Sequence, residues 1–509
     1  MMSAPKKISA ALLLSCAFAA PMMSTTMDVA HAQGAGNGVT VTDNIDRSTI
    51  QSLIDSNKTT AKLTINKFKG DPTGQKADGT AKDVDRDAFD AEFNVQRIEG
   101  LNPKDFNDWQ KFSKIDLAGY NQGDTSIGDY KLGAADTVTT TGGKAELTKD
   151  IGFYLVTETP KQGRSNIAPF LVALPMTNPD KATWNYDVHV HPKNQEFGVE
   201  KTVSDKHALA GSTIEYTLTG DTVAVPQGKS GYERYVLVDR QPENITVDRD
   251  SVEVSIGETK LDAGDFSVTE GGKPGDTKIS LASSGLKKLE DARKDNSQVQ
   301  VVAKVKAKVG ELTVGNDVNV QTNTAYLYVD NGFGDPDNPD ENDPKDEVES
   351  RFGKVNVNKV GEKTQAPLAG ATFELYRCNQ GSAGTEKAEL IDGPLTVNGK
   401  SSWTTDGEGK ISIQGIQVED FQNGGTVADE YDYCLVETKA PEGYELRPNP
   451  VAFSVTNANA SQDLTIENVE DNGGFDLPFT GENGIKGFMA LAGVLAALGL
   501  ATLTMRRKA

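Results

Sequence analysis

Three short segments of this chain open alike: Leu63-Thr64-Ile65-Asn66-Lys67, Phe197-Gly198-Val199-Glu200-Lys201 and Val355-Asn356-Val357-Asn358-Lys359. Each alternates with the period of a half-buried β-strand. Each also puts a lysine on its apolar side: Lys67 with Leu63 and Ile65, Lys201 with Phe197 and Val199, Lys359 with Val355 and Val357. A lysine aimed into a core is costly unless it is paired or neutralised. One such residue fits a sheet edge or a slipped register. Three at equivalent places point to a shared device in a tandem array of β-domains.

The array repeats its acids and amides as well. Tyr154-Leu155-Val156-Thr157-Glu158-Thr159 and Tyr433-Cys434-Leu435-Val436-Glu437-Thr438 hold Glu158 and Glu437 in phase with apolar positions, and Tyr235-Val236-Leu237-Val238-Asp239 does the same for Asp239. Each segment closes on an asparagine. Asn194 is in phase with Val190 and Pro192, and Asn468 with Leu464 and Ile466. Asn323 is in phase with Ala325 and Leu327 but out of phase with Val318 and Val320; a bulge would reconcile the two.

The stretch Trp184 to Lys193 alternates strictly. Trp184, Tyr186, Val188, Val190 and Pro192 lie on one side, and Asn185, Asp187, His189, His191 and Lys193 on the other. By this parity Lys193 faces solvent while Asn194 faces the core. The 509 residues are enough for about three domains. Strand-like runs such as 298–308 and 371–376 are separated by Gly-, Asn- and Asp-rich turns, which predicts an all-β chain of antiparallel sandwiches. Residues 85–112 read as a polar insertion with helix-like stretches. The acidic, Pro-rich stretch 331–350 reads as a solvated linker; it lacks the closing Glu of a calcium loop. A net charge of −22 argues against nucleic acid as a partner.

At the N-terminus Lys6 and Lys7 precede an apolar run, 8–20, and Ala30-His31-Ala32 has the small residues of a cleavage site. This is the pattern of a secretory signal peptide removed after Ala32, taking Cys16 with it. Cys378 and Cys434 remain, and a secreted chain with two cysteines is expected to join them in a disulfide. Both are out of phase with the apolar residues of their strands, which predicts the outer face of the third domain. Near the C-terminus the apolar segment 487–505 is long enough to cross a bilayer core of about 30 Å. Arg506-Arg507-Lys508 then fixes that end in the cytoplasm.

Several motifs resemble those of Gram-positive covalent pili. Leu477-Pro478-Phe479-Thr480-Gly481 resembles the L-P-x-T-G sorting signal read by sortases, followed in the family's order by its apolar helix and basic tail. The strand ending at Lys193 resembles the pilin motif W-x-x-x-V-x-V-Y-P-K, with His191 where the family usually has Tyr. Tyr433 to Tyr444, including Ala440-Pro441-Glu442-Gly443-Tyr444, resembles the E-box Y-x-L-x-E-T-x-A-P-x-G-Y; the first domain has Glu158-Thr159-Pro160 without that tail. Pro367 to Tyr376 looks like the second strand of a collagen-adhesin B-type domain. The chain as a whole resembles the Spa-type major pilins, with collagen-adhesin-type Ig-like domains.

That resemblance implies three tandem Ig-like β-sandwiches: 33–194, CnaB-like and carrying the pilin motif; 195–330, CnaA-like; and 351–472, CnaB-like with the E-box. The signal peptide 1–32 and the sorting region 477–509 flank them. It implies intramolecular isopeptide bonds Lys67–Asn194, Lys201–Asn323 and Lys359–Asn468, promoted by Glu158, Asp239 and Glu437. It implies that sortase joins Thr480 of one subunit to Lys193 of the next, making the chain the shaft subunit of a cell-surface pilus, tethered to the membrane in transit. The implied partners are pilus-specific and housekeeping sortases, identical subunits, minor pilins and cell-wall peptidoglycan, with no cofactor.

The rival reading is a wall-anchored monomeric adhesin or a minor pilin at the base or tip, which needs the sorting signal but not Lys193. A turnover enzyme is not expected, since no G-x-S-x-G, H-E-x-x-H or P-loop occurs. His189 and His191 share a strand face without a third ligand, so no metal site is expected.

Overall fold

Alternation becomes sheet through most of the computed structural model of the chain, which describes residues 54, 57–71, 78–117, 119–178, 183–225, 229–330, 333–385 and 388–471. The expected signal peptide, the pentapeptide with Leu477, Pro478, Phe479, Thr480 and Gly481, and the apolar segment 487–505 lie outside the described residues. Among the described residues no helix is long and apolar enough to cross a membrane. The fold is all-β and Ig-like, with α-helices among the described residues at Phe106–Phe112 and Ser283–Asp295.

The chain divides into two compact units. One holds residues up to Asp205, Thr213–Lys308 and Gln321–Glu349; the other holds Lys206–Ser212, Val309–Val320 and the chain from Ser350 on. The strand Lys345–Gly361 begins in the first and continues in the second.

The first unit contains two sandwiches. In the first, a five-stranded antiparallel sheet has the order Ser126–Ile127, Tyr130–Thr139, Glu92–Ile98, Gly152–Glu158, Phe170–Leu174. Facing it, Thr60–Asn66 is the middle strand of three, antiparallel to Lys144–Asp150 and parallel to Asp187–Val190. Leu63, Ile65, Phe93, Val95, Phe153, Leu155, Val188 and Val190 fill the space between the sheets. This burial removes large apolar areas from water, about 25 cal/mol per Å². Of the stretch expected to be helix-like, 85–112, only Phe106–Phe112 is helix. Glu92–Ile98 is a strand instead, because Phe93 and Val95 alternate into the core.

In the second sandwich, Val199–Ser204, Thr213–Gly220, Val301–Val309, Glu253–Ile256 and Thr259–Lys260 form one sheet in that order. The other runs Phe266–Glu270, Asp276–Leu281, Tyr235–Arg240, Asn319–Val329. The stretch expected to be a solvated linker is partly folded down. Tyr328 donates to Asp343 at 2.7 Å and Asp343 is buried. Arg234 donates to the carbonyls of Val329, Phe333 and Gly334, and Lys273 to that of Pro339. The strand begins already at Lys345. Among the described residues no group of three or more His, Cys, Asp or Glu is placed to hold a metal ion.

The second unit is the third sandwich. Its central strand Lys345–Gly361 is antiparallel to Lys410–Gln417 and parallel to Ser461–Asn468. The facing sheet has Thr372–Asn379 beside Tyr431–Lys439, which pairs Val451–Phe453. Val355, Val357, Phe373, Leu375, Ile413, Leu435 and Ile466 form the core. Cys378 and Cys434 are joined in a disulfide with Cα atoms 6.0 Å apart. They lie off that core, as parity predicts, but they are fully buried in a satellite cluster with Ala452, packed by Tyr376 and Ala388.

Candidate functional site

Each of the three inward lysines meets the acid predicted for it. Lys67 follows the strand Thr60–Asn66, where its backbone is pinned between Gly143, which accepts from Lys67 N at 2.6 Å, and Phe89, which donates to Lys67 O at 3.1 Å. A Cβ on Gly143 would stand 2.6 Å from Lys67 O, so only glycine allows this approach. The Lys67 amine is fully buried. It donates to Glu158 Oε2 at 2.6 Å and to Asn194 Oδ1 at 2.7 Å. Asn194 Nδ2 donates to Glu158 Oε1 at 2.5 Å. Burial pushes the amine down to about 8 against the pull of Glu158, and burial pushes the Glu158 carboxyl up against the pull of Lys67. Both shifts favour a neutral amine beside a neutral acid.

The third site has the same plan. The parallel pairing sets Lys359 opposite Ile466 and Gly361 opposite Asn468. Lys359 Nζ donates to Asn468 Oδ1 at 2.6 Å and to Ile466 O at 3.1 Å, and lies 3.8 Å from Glu437 Oε1. Asn468 Nδ2 donates to Glu437 Oε1 at 2.9 Å and Oε2 at 2.8 Å. Burial lowers the Lys359 amine to about 8.

The middle site makes fewer hydrogen bonds. Lys201 Nζ donates to Asp239 Oδ1 at 2.7 Å and lies 4.8 Å from the centre of the Tyr216 ring. Desolvation lowers this amine, with Asp239 opposing. Asn323 is fully buried, and its amide oxygen and nitrogen and Asp239 Oδ2 have no hydrogen-bond partner. Asp239 stands opposite Ala325, two residues along the strand from Asn323. No bulge is needed to bring Asn323 inward: Val320 is 39% exposed, so Gln321, Asn323, Ala325 and Leu327 form the inner face.

Lys193 departs from expectation. It is only 6% exposed, and its amine donates to His191 O at 3.4 Å. Parity fails because 191–195 is buried on both faces: Lys193 and Asn194 form a short parallel pairing with Phe68 and Lys69. Burial, with Arg86 and Lys82 nearby, lowers this amine to about 8. His191 is buried too, stacked between Phe68 and His189 with its Nε2 unpartnered. Burial, with His189 and Lys193, holds it at about 4.

The first domain also has an E-box tail that its residue pattern hides. After Glu437 the chain turns at Gly443 (φ 81°), bridges Tyr444 to Glu470, and pairs Glu445 N with Val469 O. After Glu158 it turns at Gly163 (φ 72°), bridges Arg164 to Glu196, and pairs Ser165 N with Gln195 O. The first turn is one residue shorter and carries Arg164 in place of Tyr444. A glycine five or six residues after the acid is the signal that finds both.

Residues 58–195 match the family described as Gram-positive pilin subunit D1, N-terminal domain, and residues 353–470 the family described as SpaA, prealbumin-like fold domain. The chain is similar to the type 1 fimbrial subunit of Actinomyces viscosus, 32% identical over 502 residues that cover 90% of this chain and 92% of the relative. It is 28% identical over 486 residues to the type 2 fimbrial subunit of Actinomyces naeslundii, covering 87% and 89% of the two chains. The full-length major pilin SpaD from Corynebacterium diphtheriae has a similar structure, with a TM-score of 0.67 at 28% identity, covering 82% of this chain and 99% of that one.

Proposed function

We propose that this chain, which belongs to the Gram-positive pilins, is the shaft subunit of a covalent pilus whose modules are closed by their own Lys–Asn isopeptide bonds. The observation that carries the reading is the repeated trio: in the first and third sites the amine lies 2.7 and 2.6 Å from the amide oxygen, and one acid touches the amide nitrogen. In each, the neutral lysine nitrogen attacks the asparagine Cγ, the acid relays a proton to the amide nitrogen, the Cγ–Nδ2 bond breaks and ammonia leaves. Fixed geometry of this kind supplies effective molarities of about 10⁵ M or more, enough to drive a slow amide exchange once per site. Lys201, Asp239 and Asn323 are the corresponding trio of the middle module. The acids act once and are not turnover catalysts.

Polymerisation, on this reading, is sortase transfer of the Thr480 acyl group to Lys193 of the next subunit. With its amine lowered to about 8, Lys193 offers more free amine near neutral pH than an ordinary lysine. The pilus-specific and housekeeping sortases, minor pilins and cell-wall peptidoglycan are the partners this assignment entails. A wall-anchored adhesin or a base or tip pilin would need no acceptor at Lys193. Denaturing gels of surface extracts decide between them: a high-mass ladder lost in Lys193→Ala is expected, and a ladder that persists overturns the shaft assignment. Intact mass tests the cross-links, with a loss of about 17 Da, one ammonia, expected per bond.

A further inference from the structure

The turn after Glu437 reaches back into the third site. Tyr444 N donates to Pro441 O at 3.2 Å to close the turn, and Gly443 takes φ 81°. The chain then runs antiparallel to the end of the last strand, with Asp471 N donating to Gly443 O at 2.8 Å and Glu445 N to Val469 O at 2.9 Å. This alignment aims two backbone groups at the reacting trio. Glu445 O accepts from Asn468 Nδ2 at 3.0 Å, and Arg447 N donates to Glu437 Oε2 at 2.8 Å.

Backbone groups have fixed roles, unlike a carboxyl that gains and loses a proton. A carbonyl only accepts, so it selects the nitrogen end of the Asn468 amide in every protonation state of Glu437. The oxygen end is then turned to Lys359, where it accepts at 2.6 Å. A backbone N–H only donates, so Glu437 Oε2, which it meets at 2.8 Å, is held as an acceptor. Oε1, 2.9 Å from Asn468 Nδ2 and 3.8 Å from Lys359 Nζ, is the oxygen that meets no backbone donor and so is the one placed to pass a proton between them.

We propose that the Glu445 carbonyl and the Arg447 amide position the third site for reaction, one orienting the leaving nitrogen of Asn468 and the other confining proton relay to Glu437 Oε1. The inference rests on the cross-link reading of this site. The Nζ–Cγ bond forms and the Cγ–Nδ2 bond breaks. Oε1 delivers its proton to Nδ2 and receives one from Nζ, so Glu437 ends as it began. The departing ammonia carries two protons from the amide and one from Glu437, and the proton released by Lys359 Nζ replaces the latter on Oε1. Glu445 touches the leaving atom; Arg447 acts through Glu437 and is a positioning residue.

The test follows ammonia loss with time in the full-length chain, assigning each bond by peptide mapping. Arg447→Pro removes the N–H, while Arg447→Ala keeps it and removes only the guanidinium. Bonding of Lys359 to Asn468 is expected to slow at least tenfold in Arg447→Pro and to keep the parental rate in Arg447→Ala. The Cys378–Cys434 disulfide reports that the module has folded. Equal rates in the parent and Arg447→Pro overturn the proposal, as does equal slowing in both variants. If Arg447→Pro fails to form the disulfide, Gly443→Ala, which strains the same turn, decides by the same tenfold criterion. A parent without the third mass loss would instead overturn the cross-link reading itself.

Discussion

Lys67 and Asn194 stand 127 positions apart and meet at 2.7 Å, amine to amide oxygen, with Glu158 hydrogen-bonded to both. Their strands run parallel side by side, the first and last of the module. Nothing in the site is polar without purpose: each of the three side chains occupies the other two. The dependence of each on the others makes single substitutions informative.

Removing Glu158 leaves the Lys67 amine buried with no carboxylate. In Glu158→Ala the Lys67–Asn194 bond is expected not to form, so peptide mapping finds both side chains intact. Leaving the buried Lys67 amine without its Glu158 hydrogen-bond partner costs about 1–3 kcal/mol, read by chemical denaturation against Asn194→Ala, which keeps the Lys67–Glu158 contact. A cross-linked Glu158→Ala chain would show that the acid is dispensable.

Bond formation at the third site should depend on pH through its lysine. Burial lowers Lys359 to about 8, so the share of neutral amine, and with it the cross-linking rate at a given protonation of Glu437, is expected to rise roughly tenfold per pH unit below that value. In Asn468→Ala, which has no amide to react, the same shift acts on stability. Between about 8 and the free-lysine value of about 10.4 the unfolded chain binds more protons than the folded one, so stability rises with pH across that window and is flat below it. Denaturation midpoints that do not move between pH 8 and 10 would contradict this.

His191 should make the first unit acid-sensitive. Its folded value of about 4 lies below the usual 6.5, so the unfolded chain binds the extra proton as pH falls from about 6.5 to about 4. Stability is complete above that window and is lost through it, by up to about 3 kcal/mol. His191→Phe keeps the stacking on Phe68 and is expected to flatten the acid limb. An unchanged acid limb would assign the loss to other groups.

The disulfide closes a loop with a sequence separation of 56, worth about 4 kcal/mol by chain entropy. That loop lies inside the stretch that a Lys359–Asn468 bond would close. The unfolded chain is then already restricted, and Cys378→Ala/Cys434→Ala should cost less in the parent than in a Lys359→Ala background. Equal costs in the two backgrounds would mean that the outer loop is open.

Much of this was written in alternation alone. Lys67, Lys201 and Lys359, their acids and their asparagines are all buried, as period-two parity assigns them; the alternation is clean for Lys201, on a strand with one covered face, whereas Glu158 and Asp239 lie on strands buried almost throughout. Asn323 raised a conflict only because Val320, an apolar residue, faces outward. Lys193 was misread for the opposite reason: its strand enters a stretch covered on both sides, where parity carries no information about exposure. The fold of 333–344 was hidden by composition. Acidic, Pro-rich sequence reads as solvent-loving, yet a tyrosine hydroxyl, an arginine and a lysine supply its partners. The first-domain E-box tail was hidden by a one-residue deletion that leaves its backbone pairing intact.

The parallel neighbours at the heart of the first and third modules also fix an order of events. The residues that meet there are the ends of a module, separated by 127 and 109 positions, and contacts so distant in sequence are the late ones to form. A chain emerging from its N-terminus has Lys67 long before it has Asn194, and the module between must already be in place when they meet. A bond formed there is therefore a receipt issued on completion. On the cross-link reading a misfolded module would not acquire it, and the number of ammonias a subunit had lost would count the modules that reached their native topology before assembly.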